Sequence, residues 1–129
     1  MTKSPLLFQY SPDRNPPAPM LNLAISNPIT QSITIEAFLV DSGADITCLK
    51  EELFEKLSLE YCAYLKVRGA TGEQILRIAA VILQNPFGND ELIDVIISPA
   101  LRINLLGRDL INKWKVTLDG PNQQMTIEV

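Results

Sequence analysis

The sequence predicts a mostly β domain, a barrel or sandwich of short strands carrying one or two short helices. Three observations lead there. Alternating or wholly apolar runs recur along the chain, turn signals rich in Gly, Pro and Asn separate them at intervals of about ten residues, and amphipathic helical spacing is confined to two short stretches. A length of 129 residues predicts one domain, large enough to bury a core without covalent staples.

Six of the nine prolines fall in the first 28 residues, and Ser11-Pro12-Asp13-Arg14-Asn15-Pro16-Pro17-Ala18-Pro19 suits neither a helix nor a central strand. Residues 1–19 therefore read as an extended arm that moves freely or drapes over a partner, with the folded body at 20–129. Met20–Ile25 alternates in part and stops at the turn Ser26-Asn27-Pro28. Ile33–Val40 alternates at first and ends wholly apolar, as a strand does when it runs from the surface into the core. Leu49, Leu53, Phe54 and Leu57 lie at helical spacing, with Glu51, Glu52, Glu55 and Lys56 as the solvated face.

Tyr64–Arg68 and Gln74–Ile78 flank Gly69-Ala70-Thr71-Gly72 as a hairpin with a small-residue tip, its second arm continuing through Leu83. Leu92–Ile97 is another buried strand with Asp94 pointing outward, and Arg102–Leu106 is one more. A helical turn through Leu110, Ile111 and Trp114 follows Gly107, with Trp114 in the core. Val116–Leu118 then pairs with Met125–Val129 across Asp119-Gly120, a hairpin signal.

Composition removes several classes of function. Hydrophobic and charged fractions of 47% and 20% are those of an ordinary globular protein. The net charge of −4 offers no surplus of cations, which argues against nucleic acid or an anionic membrane as the main partner. No apolar run reads as a membrane span or a signal peptide. The chain has no histidine, so histidine-dependent triads and histidine metal sites are excluded, and acid–base chemistry falls to carboxylates, lysine, cysteine or tyrosine. Cys48 and Cys62 lack zinc or redox spacing and read as free core or pocket thiols in a reducing cytoplasm. No metal and no cofactor is expected.

Phe38-Leu39-Val40-Asp41-Ser42-Gly43-Ala44-Asp45 carries the chemistry. A buried strand delivers the Asp41 carboxylate into a Ser-Gly turn, and Gly43 lets the backbone bend and leaves room for another backbone to approach. Alone, Asp-Ser-Gly is also common surface-turn chemistry. Ile103-Asn104-Leu105-Leu106-Gly107-Arg108-Asp109-Leu110 is a second such segment, in which Gly107 can be a plain strand-to-helix break and Asp109 a first-turn carboxylate favoured by the helix dipole.

In this order, Asp-Ser-Gly-Ala after an apolar strand, a hairpin with a glycine tip, and Leu-Leu-Gly-Arg-Asp-Leu before the last helix, the chain resembles retropepsin-like aspartic peptidases, most of all the stand-alone bacterial members. The resemblance covers residues 20–129. It implies a closed acid-protease-like β-barrel working as a symmetric homodimer on a peptide or protein substrate. Asp41 would be the catalytic carboxylate, and Ser42 would lock the two active-site loops together across the dimer axis. Gly43 and Asp45 would hold the substrate main chain, and Ala44, Ile46, Cys48 and Leu105 would wall its pockets. Arg68, Gly69, Ala70, Thr71, Gly72 and Glu73 would form the flap. Gly107, Arg108 and Asp109 would support the loop from behind, with Arg108 paired to Asp45. The chain departs from the pattern in two places. Its flap tip has no aromatic residue, and its amino-terminal arm is long and proline-rich, which would shift more of the dimer interface onto residues 124–129. Two other readings remain: a non-catalytic dimeric peptide-binding or scaffold module on the same fold, and an unrelated small barrel in which Asp41 is only a turn.

Overall fold

A computed structural model of the chain describes residues 4–70 and 72–129. In chain order its elements are β1 (Leu6–Gln9), β2 (Met20–Ser26), β3 (Ile33–Val40), β4 (Cys48–Lys50), α1 (Glu51–Lys56), β5 (Tyr61–Gly69), β6 (Gly72–Gln84), β7 (Asp90–Ser98), β8 (Asn104–Leu106), α2 (Arg108–Ile111), β9 (Lys115–Asp119) and β10 (Gln124–Glu128). Strands follow each other in space as β2-β3-β8-β4-β7-β6-β5, and pairing of Ile25 and Ser26 with Leu83 and Ile82 joins β2 to β6. That join closes β2, β3, β8, β4, β7 and β6 into a barrel, with β5 running beside β6 as the outer arm of a hairpin.

The period-two pattern explains which side chains fill the barrel. Leu21, Leu23 and Ile25 of β2 point inward and are buried, as are Ala79, Val81 and Leu83 of β6 and Val95 and Ile97 of β7. Strand β3 behaves as its sequence implies: Ile33 and Ile35 are exposed, and Phe38 is fully buried three residues before Asp41. Leu49, Leu53, Leu57, Leu106 and Leu110 complete the floor of the core.

A second, smaller sheet is ordered β1-β10-β9, antiparallel throughout. The proline-rich arm is therefore not a loose appendage. Leu6–Gln9 adds a strand to β10, Ser11 bridges Ala18, and Phe8 and Tyr10 pack on the core. Strand β10 lies in the middle of this sheet, so both its edges are taken and the interface expected at residues 124–129 has no free edge there.

Smaller differences have local causes. Cys48–Lys50 is a strand that runs directly into α1, because Cys48 pairs with Ile96 of β7 on one side and Leu105 of β8 on the other before the helix begins. Arg102 and Ile103 precede β8 instead of belonging to it. Trp114 lies beyond α2, partly buried edge-on to Phe87. Glu51 is not simply solvated: it pairs with Arg77 of β6 at 2.8 Å, and Arg77 also lies over the Tyr61 ring. Tyr61 in turn stacks on Phe54, so the root of the β5–β6 hairpin is clamped to α1. Cys62 is exposed and belongs to no core; it borders a surface depression shared with Pro28, Ile29, Leu59 and Tyr61, away from Asp41.

Candidate active site

Asp41 follows the last residue of β3 directly. Its N–H donates to the carbonyl of Leu106 at 3.0 Å, which continues the parallel pairing of β3 with β8 by one residue. The chain then turns: Ala44 N–H donates to the Asp41 carbonyl at 3.2 Å, and Gly43 N–H donates to Asp41 Oδ1 at 2.9 Å. This last bond fixes the carboxyl rotamer with one oxygen facing the turn. A Cβ at Gly43 would stand 3.1 Å from that same Oδ1, so a side chain there would push the carboxyl aside by a few tenths of an ångström. Asp41 is half-buried, and Ser42, Gly43 and Asp45 are exposed beside it.

The second motif braces this turn from behind. Arg108 donates through Nη1 to the Ser42 carbonyl at 3.0 Å and through Nη2 to Asp45 Oδ1, so one guanidinium holds both sides of the loop. Arg108 N–H donates to the Ala44 carbonyl at 2.8 Å and Asp109 N–H to the Asp45 carbonyl at 3.3 Å. The first turn of α2 thus presents its unpaired amides to the loop.

Asp109 is bound more tightly than a dipole-favoured carboxylate would be. It accepts from Thr47 N–H at 3.1 and 3.2 Å, from Thr47 Oγ1 at 2.8 Å and from Leu110 N–H at 3.0 Å. Thr47 Oγ1 in turn accepts from the buried Gly107 N–H at 3.1 Å. Gly107 is dictated by space: a Cβ there would lie 2.6 Å from the Ile46 carbonyl carbon and 2.8 Å from Thr47 N, both backbone. Asn104 performs the same service one strand over. Buried in β8, it accepts from Lys50 N–H at 2.9 Å and donates to the Ala37 carbonyl at 3.2 Å, tying β8 to both neighbours.

The structure brings together Asp41, Ser42, Gly43, Ala44, Asp45, Gly107, Arg108 and Asp109 as one hydrogen-bonded unit. Ala44, Ile46, Cys48 and Leu105 are half-buried around it, and Cys48 is directly opposite Leu105 across β4 and β8. Burial first, and then the nearby Asp109 and Asp41 charges, raise the Cys48 thiol pKa above its ordinary value. Thr47, Asn104 and the Glu51–Arg77 pair are the supporting residues that sequence reasoning passed over. The one sign of Thr47 was a polar residue inside an otherwise apolar run. Arg68, Gly69, Ala70, Gly72 and Glu73 lie at the hairpin tip, where Gly69 pairs with Gly72 and Gly72 has φ +116°, a conformation that suits glycine. Arg68 and Glu73 face each other across the strands at 3.9 Å, both exposed. Thr71 lies outside the described residues. Among the described residues, no group of three or more Asp, Glu or Cys side chains converges as a metal site would require.

Residues 15–119 match the family model of the retroviral aspartyl protease. The Gag-Pro polyprotein of simian retrovirus SRV-2 is 28% identical over 93 residues, which is 70% of this chain and 10% of the polyprotein. The chain thus spans about a tenth of that relative's length, and 5% of the Gag-Pro-Pol polyprotein of the same virus. Among solved structures, a retropepsin-like aspartic protease from Rickettsia conorii superposes with a TM-score of 0.66 at 18% identity, covering 98% of this chain and 93% of that one. EIAV protease in complex with the inhibitor HBY-793 gives 0.58 at 17% identity, covering 82% and 93%. With the family model spanning both the Asp41 turn and the Arg108 brace that holds it, the chain belongs to the retroviral aspartyl protease family.

Proposed function

We propose that the chain is an aspartic endopeptidase whose active site forms on the two-fold axis of a homodimer. The observation that carries this reading is Asp41 itself. Its carboxyl emerges half-buried from a barrel strand, held by Gly43 N–H, in a loop locked by Arg108. One chain supplies one such carboxyl, and hydrolysis of this kind needs two facing each other, so a symmetric pair of chains is the simplest source of the second.

Two carboxyls a few ångströms apart do not readily ionise together and share one proton. The ionised Asp41 takes a proton from water as that water attacks the scissile carbonyl carbon. The protonated Asp41 of the other chain donates to the carbonyl oxygen, giving a neutral tetrahedral diol without a covalent enzyme adduct. Collapse of the diol returns a proton to the leaving nitrogen. The pH dependence belongs to the pair and not to either residue. Ser42 links the two loops, Gly43 and Asp45 take the substrate main chain, and Ala44, Ile46, Cys48 and Leu105 favour apolar side chains beside the scissile bond. The 68–73 tip closes over the peptide and excludes bulk water.

The test is cleavage of a mixed peptide library, read by mass spectrometry, for wild type and Asp41→Asn across about pH 4 to 7. Cuts between apolar residues that fall at least about a thousandfold in the variant are expected. A folded dimer that cuts nothing would sink the reading and leave a peptide-binding module.

A further inference from the structure

We propose that the outer face of β6 carries a docking trough for an extended segment of another protein, one in which aliphatic side chains alternate with lysine or arginine. The trough arises where β6 changes partner. One edge of β6 pairs with β5 as far as Ala79, opposite Tyr61, and with β2 from Ile82, opposite Ser26. Ala80 falls in the interval and lines a depression of about 220 Å³. A cavity of roughly 150 Å³ already takes a benzene ring, so a leucine or isoleucine side chain fits.

The walls are held in place without a ligand. Asn27, buried just past β2, donates through Nδ2 to the carbonyls of Leu57 and Ser58 at 3.0 and 3.2 Å. Its Oδ1 accepts from the Ile29 and Thr30 amides at 2.8 and 3.2 Å. One side chain thus ties the turn after β2 to the segment after α1, and both border the depression. That turn keeps Ile29 83% exposed.

Apolar surface continues along the strand. Ala80 and Ile82 share the outward face of β6, and Ile82 lines a second depression with Ala24, Ser26 and Ile33. Ile33, Ser26, Ile82 and Leu92 stand in one row across four strands, with Ile33 68% and Leu92 70% exposed. An exposed apolar patch of this kind marks an interaction surface. Ala80 and Ile82 are one strand repeat apart, about 6.7 Å, which is also the spacing of alternate side chains in an extended peptide.

Charge selects the occupant. Glu60 lines the first depression, Asp90 the second, and Asp94 of β7 stands directly opposite Ala80. None of these three carboxylates has a partner among the described residues. No lysine or arginine lines either depression, and Arg77, the only cation of β6, stands on its other face bound to Glu51. A symmetric pair of chains meeting through this face would set the carboxylates against their own copies, and an anionic lipid surface would be repelled. An extended segment that turns aliphatic side chains into the trough, with long cationic ones reaching back to its rim, meets both requirements.

The probe is a fluorescein-labelled hexapeptide of alternating leucine and lysine, with glutamate in place of lysine as control, read by fluorescence anisotropy on the full chain carrying Asp41→Asn. That substitution removes the proposed catalytic carboxyl, so binding is read without cleavage and the result stands whether or not the chain is a peptidase. The basic peptide should bind at least about tenfold more tightly than the acidic one. Glu60→Lys with Asp94→Lys should weaken the basic peptide about tenfold and remove that preference. Asp13→Lys with Glu52→Lys makes the same change in net charge at exposed residues that line neither depression, and should alter binding less than about twofold. Saturating basic peptide should also slow alkylation of Cys62, which borders the first depression, about threefold or more. Failure of the basic peptide to bind would overturn the proposal. Equal loss in the two double variants would do so as well, leaving only general attraction to an acidic chain. Binding that leaves Cys62 unshielded places the peptide elsewhere, and shielding that grows with protein concentration in the absence of peptide gives the trough to a second copy; either result overturns it.

Discussion

Thr47→Val removes one hydroxyl from the joint between the two motifs and leaves the side-chain shape almost unchanged. Thr47 is fully buried; its Oγ1 donates to Asp109 at 2.8 Å and accepts from the buried Gly107 N–H at 3.1 Å. Loss of a hydrogen bond to a charged group costs about 1.5–3 kcal/mol, and the orphaned Gly107 N–H adds about 1–3. The extra buried methyl offsets about 0.8. The net loss is about 3 kcal/mol, which for a chain of this length lowers Tm by about 12 °C. Thr47→Ser keeps the hydroxyl and loses one methyl, so it should cost about 1 kcal/mol and about 4 °C. Calorimetry and urea titration at one fixed protein concentration check both, since the proposed dimerisation would make Tm depend on concentration. If serine proves as damaging as valine or worse, Thr47 acts by packing, and the hydrogen-bonded joint between Asp109 and Gly107 is not what holds the loop.

Four further outcomes follow from the same structure. Gly107→Ala forces a methyl to 2.6 Å from the Ile46 backbone and should cost about 3 kcal/mol or prevent folding, seen as loss of the cooperative transition. Arg108→Met removes an ion pair whose side chains are 43% and 80% exposed; solvent screening keeps the stability loss below about 1 kcal/mol, while kcat/KM should fall much further as Ser42 and Asp45 lose their brace. Alkylation followed by peptide mapping should label exposed Cys62 well before Cys48, whose raised pKa keeps it a thiol. Because the Cys48 pKa is raised on folding, its contribution to stability is complete below the unfolded thiol's pKa and disappears as pH climbs through the folded one. Cys48→Ala should therefore flatten the alkaline limb of the stability curve.

Strands with a strong period were legible in the sequence almost to the residue. Ile33–Val40 is a strand over those bounds, and its change from alternating to wholly apolar marks where it enters the core beneath Asp41. The Arg108–Asp45 pair was legible only through family resemblance, since 63 residues separate the partners and no local pattern links them. The arm misled because proline argues against a strand, yet Leu6–Gln9 contains none and needs only one neighbour as a sheet edge. Cys48–Lys50 was hidden because helical spacing claims Leu49, and three residues are too few to show a period of two. Thr47 and Asn104 were missed for a common reason. Each is a single polar residue whose value comes from partners more than 50 positions away, and local propensity says nothing about such partners.

The threading of β8 between β3 and β4 also sets an order of assembly. Asp41 takes its backbone partner from Leu106, and Thr47 takes its carboxylate from Asp109, 62 residues further along. During synthesis β3 can pair at once with β2, but its other edge, where Asp41 emerges, stays without β8 until nearly the whole barrel has been made. The β5–β6 hairpin and the β6–β7 pair need only sequence-local contacts and can close first. The Asp41 turn is among the last parts to acquire its shape, so a growing chain carries its carboxyl in an unformed loop until residues 104–109 are present to hold it.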